Sequence, residues 1–191
     1  MSRTAHQVEL SRAVWDVLAS QGIERLTIRA VAAAAGCTTG LVMHRFPNRH
    51  ALLKHARQLL HERTRERADA LEAEAGNPRA ALRAVLAQGM ALDERTAAES
   101  IVWMGFLAAA VGDEDLLTLH RTNNKAWRVR ISRLVSATEP DWPEERVTTT
   151  AFALIAMVEG AAALASTDPA AYPAAVQSAM LDATLAGFGL T

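Results

Sequence analysis

Apolar residues recur every three or four positions along most of the chain, and the runs stop where Gly, Pro, Asn or Asp stand. Val8, Leu10, Val14, Val17 and Leu18 share a face of a helix predicted from Arg3 to Gln21 and ended by Gly22. Thr27 suits the N-cap of a short helix, Ile28–Ala35, and Gly36 its left-handed terminator. Thr38 caps a second short helix reaching about Arg45. Pro47 breaks the pattern, and Asn48 caps a long helix running to about Ala75. Gly76-Asn77-Pro78 is a turn, and helices follow near 79–91, 94–111, 114–137, 144–166 and 173–188. Asp93, Asp113 and the pair Pro140 and Pro143 mark the joints. No alternating β-branched run argues for a sheet, so the pattern predicts an all-α fold of about nine helices.

Composition strengthens that reading, because 40 of the 191 residues are alanine, the best helix former. The single cysteine, Cys37, excludes an internal disulfide framework and a cysteine-based zinc cluster. The longest uncharged apolar stretches, Ser100–Gly112 and Val147–Val158, fall short of the ~18 residues of a membrane span. The first residues lead into an amphipathic pattern without a signal-peptide core, so a cytoplasmic protein with no membrane partner is expected. The formal net charge of −1 hides an asymmetry. Residues 1–67 carry 11 Lys/Arg and 5 Asp/Glu, a net of +6, and residues 68–191 carry 9 and 16, a net of −7. A small polyanion-binding head on a larger acidic body fits this division.

The informative stretch is Leu26–Leu53, LTIRAVAAAAGCTTGLVMHRFPNRHALL. Two short helices separated by Gly36-Cys37-Thr38 have the layout of a helix-turn-helix, whose second helix enters the major groove. Ala32, Ala33 and Ala35 are small enough for close helix approach, and Val31 and Val42 are the expected buried contacts. Thr27–Ala35, Gly36–Gly40 and Phe46–Leu53 resemble the helix-turn-helix and the start of the fourth helix of the TetR family of bacterial transcriptional regulators. Further along, Val102-Trp103, Trp127-Arg128 and Val158-Glu159-Gly160 resemble the subgroup typified by the choline-responsive repressor.

The resemblance implies a DNA-binding domain over 1–50 and a ligand-binding and dimerisation domain over 51–191. It places Thr38, Thr39, Gly40, Leu41, Met43 and His44 on the reading helix, with Thr39 and His44 reaching base edges. Arg45 would reach a base or a phosphate, Arg29 a guanine edge or a phosphate, and Arg49 and Lys54 phosphates. Met43 stands where the family often has tyrosine; it cannot donate to a phosphate but can touch a thymine methyl.

In the body, Trp103, Met104, Phe106, Leu107, Trp127, Phe152 and Ile155 are apolar candidates for a ligand cavity between helices. Glu159, in an apolar run, either pairs internally or faces a ligand cation, and Glu99 is a weaker candidate of the same kind. Ala151, Ile155, Val158, Ala162 and Ala165 form one small-residue stripe, and Val176, Met180, Ala183 and Gly187 another. In the resembling family two such helices associate as a four-helix dimer interface, presenting two reading helices to a pseudo-palindromic operator.

The expected function is that of a homodimeric, ligand-responsive DNA-binding regulator, a repressor released from double-stranded DNA by an unidentified small molecule. The alternative is a helical-bundle carrier or enzyme that binds no DNA. No nucleophile–base pattern, phosphate loop or dinucleotide fingerprint is present, and His61-Glu62 does not continue to a zinc motif because position 65 is Arg. No catalysis, cofactor or metal is expected.

Overall fold

A computed structural model describes residues 3–191, with side chains from His6 onward. Among the described residues it has nine α-helices: α1 Arg3–Gln21, α2 Ile28–Ala34, α3 Thr39–Arg45, α4 Arg49–Glu74, α5 Pro78–Ala87, α6 Glu94–Ala110, α7 Glu114–Thr138, α8 Glu144–Thr167 and α9 Ala174–Phe188. A single 3-10 turn, Ile23–Arg25, joins α1 to α2.

The helix starts follow from short polar side chains standing just ahead of each apolar run. Thr27 Oγ1 accepts from the Ala30 amide at 3.1 Å, and Thr38 Oγ1 from Leu41 at 3.3 Å. Asn48 Oδ1 accepts from Ala51, and Asn77 Oδ1 from Ala80, both at 2.9 Å. Each bond satisfies an amide that the helix itself leaves without a partner. Gly36 ends α2 with φ of 61°, a left-handed conformation that glycine adopts at least strain. α5 stops at Ala87, short of the predicted residue 91. A Cβ on Gly89 would lie 2.8 Å from Val158 Cγ1, so a glycine lets this turn close onto α8.

The described chain forms two compact units. One takes the chain to Arg63 together with Ile101–His120; the other takes Thr64–Ser100 and Arg121–Thr191. The unit built around α2 and α3 therefore includes more chain than residues 1–50. Its core holds Val14, Leu18, Leu26, Val31, Val42 and Leu52, joined by Val102, Phe106 and Ala110 from α6 and Leu116 from α7. Gly105 makes that approach possible, since a Cβ there would meet Ile23 Cγ2 at 2.8 Å.

In the same unit Ser11 Oγ lies 2.9 Å from His55 Nε2, and the His55 ring sits 4.9 Å from that of Phe46. Burial holds the His55 pKa below the usual imidazole value, and Arg45 pushes it the same way. The unfolded chain thus binds this proton more readily than the folded one. Stability from His55 is fully present above the unfolded pKa of about 6.5 and falls as the pH drops through it. Denaturant titrations between pH 7.5 and 5 should show this decline, and His55→Gln should reduce it; an unchanged slope would contradict the assignment.

The second unit packs α5, α8 and α9 with the remainder of α4, α6 and α7 around Leu82, Leu86, Met90, Ile131, Leu154 and Leu181. Gln177, 1% exposed, is a polar pin: its carboxamide accepts from the Ala91 amide and donates to the Ala91 and Tyr172 carbonyls. Arg79 donates to the Gly189 and Thr191 carbonyls and to Glu139, fastening the end of the chain. α8 is long and apolar enough to cross a membrane by composition, which counting uncharged runs did not reveal. Nine of its residues are buried in this unit, while Phe152 and Leu164 stay exposed.

Candidate nucleic-acid interface

α3 is held by one side chain and displays the rest. Val42 is fully buried, whereas Thr39, Gly40, Leu41, Met43, His44 and Arg45 are exposed, as is the cap Thr38. Leu41 and Met43 are 37% and 52% exposed, large apolar groups that the chain leaves partly open to solvent. A Cβ on Gly40 would meet only Thr38 Oγ1 at 3.9 Å, an ordinary contact, so internal crowding does not explain this glycine. Arg29 is exposed on the first turn of α2, and the Arg45 guanidinium lies 5.5 Å from the Phe46 ring. The arrangement gives a short helix with polar, basic and apolar tips facing out on a fixed base.

The basic residues of α4 are not all free. Arg49 Nη2 donates to the Ile23 carbonyl at 2.8 Å and stands 3.9 Å from Glu24. Lys54 Nζ lies 3.3 Å from Asp115 Oδ2. His50 has a carboxylate on each ring nitrogen, Asp113 at 3.0 Å from Nδ1 and Asp115 at 3.2 Å from Nε2. Asp113 also caps α7, its Oδ1 accepting from the Leu116 amide at 3.0 Å. Lys54 is the first cause of the lowered Asp115 pKa, followed by His50. This cluster ties the first turns of α4 to the start of α7, a link the sequence did not announce because some sixty residues separate the partners.

Residues 12–64 match the family described as bacterial regulatory proteins, tetR family, and residues 78–189 match the BetI-type transcriptional repressor, C-terminal. The chain belongs to the TetR family. The transcriptional regulator BetI of Stenotrophomonas maltophilia is 31% identical over 119 residues, 61% of this chain and 60% of that one. PksA of Bacillus subtilis is 27% identical over 108 residues, 56% of this chain and 53% of that one. The match therefore spans less than two thirds of either relative's length. BetI of Burkholderia mallei is 29% identical over 163 residues, 83% of this chain and 80% of that one. A crystal structure of a transcriptional regulator from Rhodococcus sp. Rha1 superposes with a TM-score of 0.84 at 28% identity, covering 95% of this chain and 94% of that one. A regulator from Saccharomonospora viridis in complex with choline also gives 0.84, at 15% identity and 97% coverage of both chains, a likeness of fold.

In this TetR-family regulator the predicted cavity residues fall into both units. Trp103, Met104, Phe106 and Leu107 belong to the first, where Phe106 is a buried core residue. Trp127, Phe152, Ile155 and Glu159 belong to the second, with Ile155 in its core, Phe152 50% exposed and Glu159 half-buried. Glu99 is occupied inside its own unit by Arg67. A surface groove of about 480 Å³ between α1 and α4, lined by Val8, Ser11, Trp15, Leu59 and Arg63, uses none of these residues. Among the described residues no group of three or more His, Cys, Asp or Glu could hold a metal ion.

The small-residue stripe predicted for dimerisation on α8 faces inward. Ala151, Val158 and Ala162, with Ile155 and Ala165, are buried inside their own unit. Periodicity put them on one face, but α8 is apolar on several faces, and spacing cannot say which one the subunit uses itself. The outward face carries Phe152, Ala156, Gly160 and Leu164. On α9 Val176, Ala183 and Gly187 are exposed, and Met180 is partly buried against the core.

Proposed function

We propose that this protein is a cytoplasmic, homodimeric repressor that reads a pseudo-palindromic operator with α3 and leaves it when a small molecule binds the body. The observation that carries the reading is α3 itself, anchored by Val42 and exposed at every other position. Thr39 and His44 supply hydrogen-bonding tips, Leu41 and Met43 supply apolar contacts to thymine methyls, and Arg29, Arg45, Arg49 and Lys54 supply phosphate contacts. A dimer would form through the outward faces of α8 and α9, where Phe152, Leu164 and Val176 are 50%, 45% and 41% exposed. α4 runs through both units, so a ligand that favours another setting of this helix would change the spacing of the two heads. The choline complex of a distant neighbour makes a quaternary ammonium the first effector class to weigh.

The test separates reading from anchoring. On duplexes selected from a random pool, His44→Ala should change the preferred base at one position of each half-site, whereas Arg49→Ala should weaken all sequences alike. A uniform loss for both would contradict the assignment of roles. Asp115 holds Lys54 by an exposed ion pair, and solvent leaves such pairs weak. Asp115→Asn should therefore free Lys54 for phosphate and tighten DNA binding about two- to fivefold, read by fluorescence anisotropy. Weaker binding would show instead that the link to α7 positions the head.

A further inference from the structure

His50 stands in the first turn of α4 with a carboxylate on each ring nitrogen, Asp113 Oδ2 on Nδ1 and Asp115 Oδ2 on Nε2. A neutral imidazole has one N–H and one lone pair, so it donates to only one of the two. Its other nitrogen would then face a carboxylate oxygen, acceptor against acceptor. Both contacts are hydrogen bonds only when the ring is an imidazolium with a proton on each nitrogen. The acidic side of the cluster comes from the joint before α7 and its first turn, where Glu114 lies between the two aspartates in sequence. On α4 the neighbouring charges are Arg49, engaged by the Ile23 carbonyl and Glu24, and Lys54, engaged by Asp115.

The two aspartates are not equivalent. Asp115 is shared between His50 and Lys54. Asp113 has His50 as its cation among the described residues, and its other oxygen caps α7 by accepting from the Leu116 amide. A ring that gives up one proton therefore keeps its N–H on Asp113, whose charge nothing else balances, and releases Asp115. The carboxylate does not take up that proton, because Lys54 first and His50 second hold the Asp115 pKa below the usual range. Facing a bare Nε2, Asp115 then belongs to Lys54 alone. That ammonium is the group expected on a phosphate, so Asp115 competes with DNA for it. An imidazole ordinarily gains and loses its charge between about pH 5 and 8.

We propose that His50 is a proton-operated control on DNA binding: its second proton holds Asp115 off Lys54, and loss of that proton hands Lys54 to Asp115. This rests on the DNA-reading function proposed above. The lost ring charge and the withdrawn ammonium act in the same direction, so operator affinity falls as the pH rises. His50, Lys54, Asp113 and Asp115 all lie in the unit that carries α3, and the control needs no bound molecule.

A duplex enriched from a random pool is to be titrated with the full-length protein at pH 6.0 and 8.5 at constant ionic strength, read by fluorescence anisotropy. The parent should bind about four- to twentyfold more weakly at pH 8.5, about two- to fivefold for each head of a dimer. His50→Gln keeps a neutral donor for Asp113 and cannot take a second proton. It should match the parent at pH 8.5 and bind more weakly than the parent at pH 6.0 by that same factor. His44 and His55 are present in both proteins, so the difference between them belongs to His50. Equal pH dependence in the two proteins would overturn the proposal, as would tighter binding by the parent at pH 8.5. In the free protein, imidazole nitrogen NMR should show both His50 nitrogens protonated at pH 6.0 and Nε2 bare at pH 8.5. The same protonation state at both pH values, or a bare Nδ1 in place of Nε2, would also overturn it. That measurement needs no DNA, so failure of the control is distinguishable from failure of the DNA-reading function.

Discussion

Replacing Glu99 by alanine should destabilise the protein by about 3–5 kcal/mol, the loss typical of breaking a buried ion pair from one side. Arg67 and Glu99 form a two-pronged pair, Nη1 to Oε1 at 3.2 Å and Nη2 to Oε2 at 2.5 Å, with side chains 15% and 7% exposed. The third edge of Arg67 is also used, Nε donating to Gln88 Oε1 at 2.8 Å. Removing the carboxylate leaves a guanidinium in the interior with a neutral amide as its partner here. For a chain of this length the melting temperature should fall by about 6–20 °C. The paired change Arg67→Met with Glu99→Leu should recover most of the loss, because it removes both charges together. A fall of less than about 2 °C for Glu99→Ala would mean that water reaches Arg67 and that the pair is ordinary surface chemistry.

Raising NaCl from 50 to 200 mM should weaken operator binding by about a thousandfold or more. Each head exposes Arg25, Arg29, Arg45, Arg49 and Lys54 along one stretch of chain, and a dimer doubles the set. Neutralising about six to ten phosphates gives a fall of about 10³–10⁵ over that range through counterion release. Among the described residues no carboxylate or carbonyl takes up Arg29, whereas Arg49 bonds Ile23 and Lys54 bonds Asp115. Arg29→Ala should therefore lower the salt slope by about two for a dimer, one phosphate per head. An unchanged slope, with a lost preference at one base pair, would move Arg29 from the phosphates to a guanine edge.

Most of the helix layout was legible because its signals are local. Thr27, Thr38, Asn48 and Asn77 stand next to the amides they cap, and Gly36 marks the turn that needs positive φ. The 3-10 turn at Ile23–Arg25 was missed, since three residues are too few to show a period. Long-range features were not legible. Nothing in the run around Gly105 says that Ile23 will press on it, and nothing near His50 says that Asp113 and Asp115 will face its two nitrogens. The α8 stripe shows a different limit: Ala151, Val158 and Ala162 do share a face, but that face is interior. For Glu99 the sequence left an internal pair and a ligand-facing role both open, because its partner, Arg67, lies 32 residues away on another helix. The exposed positions of α3 were legible, because a buried Val42 in a short helix leaves the remaining side chains outside.

The most direct measurement is selection of duplexes from a random pool by the full-length protein, followed by binding of the enriched sequence at physiological salt. The expected result is a pseudo-palindrome whose half-sites are centred about one helical turn apart or a multiple of it, bound by an even number of chains. It should be preferred over a scrambled duplex by about a thousandfold or more. Failure to enrich any sequence, or equal affinity for the scrambled duplex, would contradict a role in reading DNA.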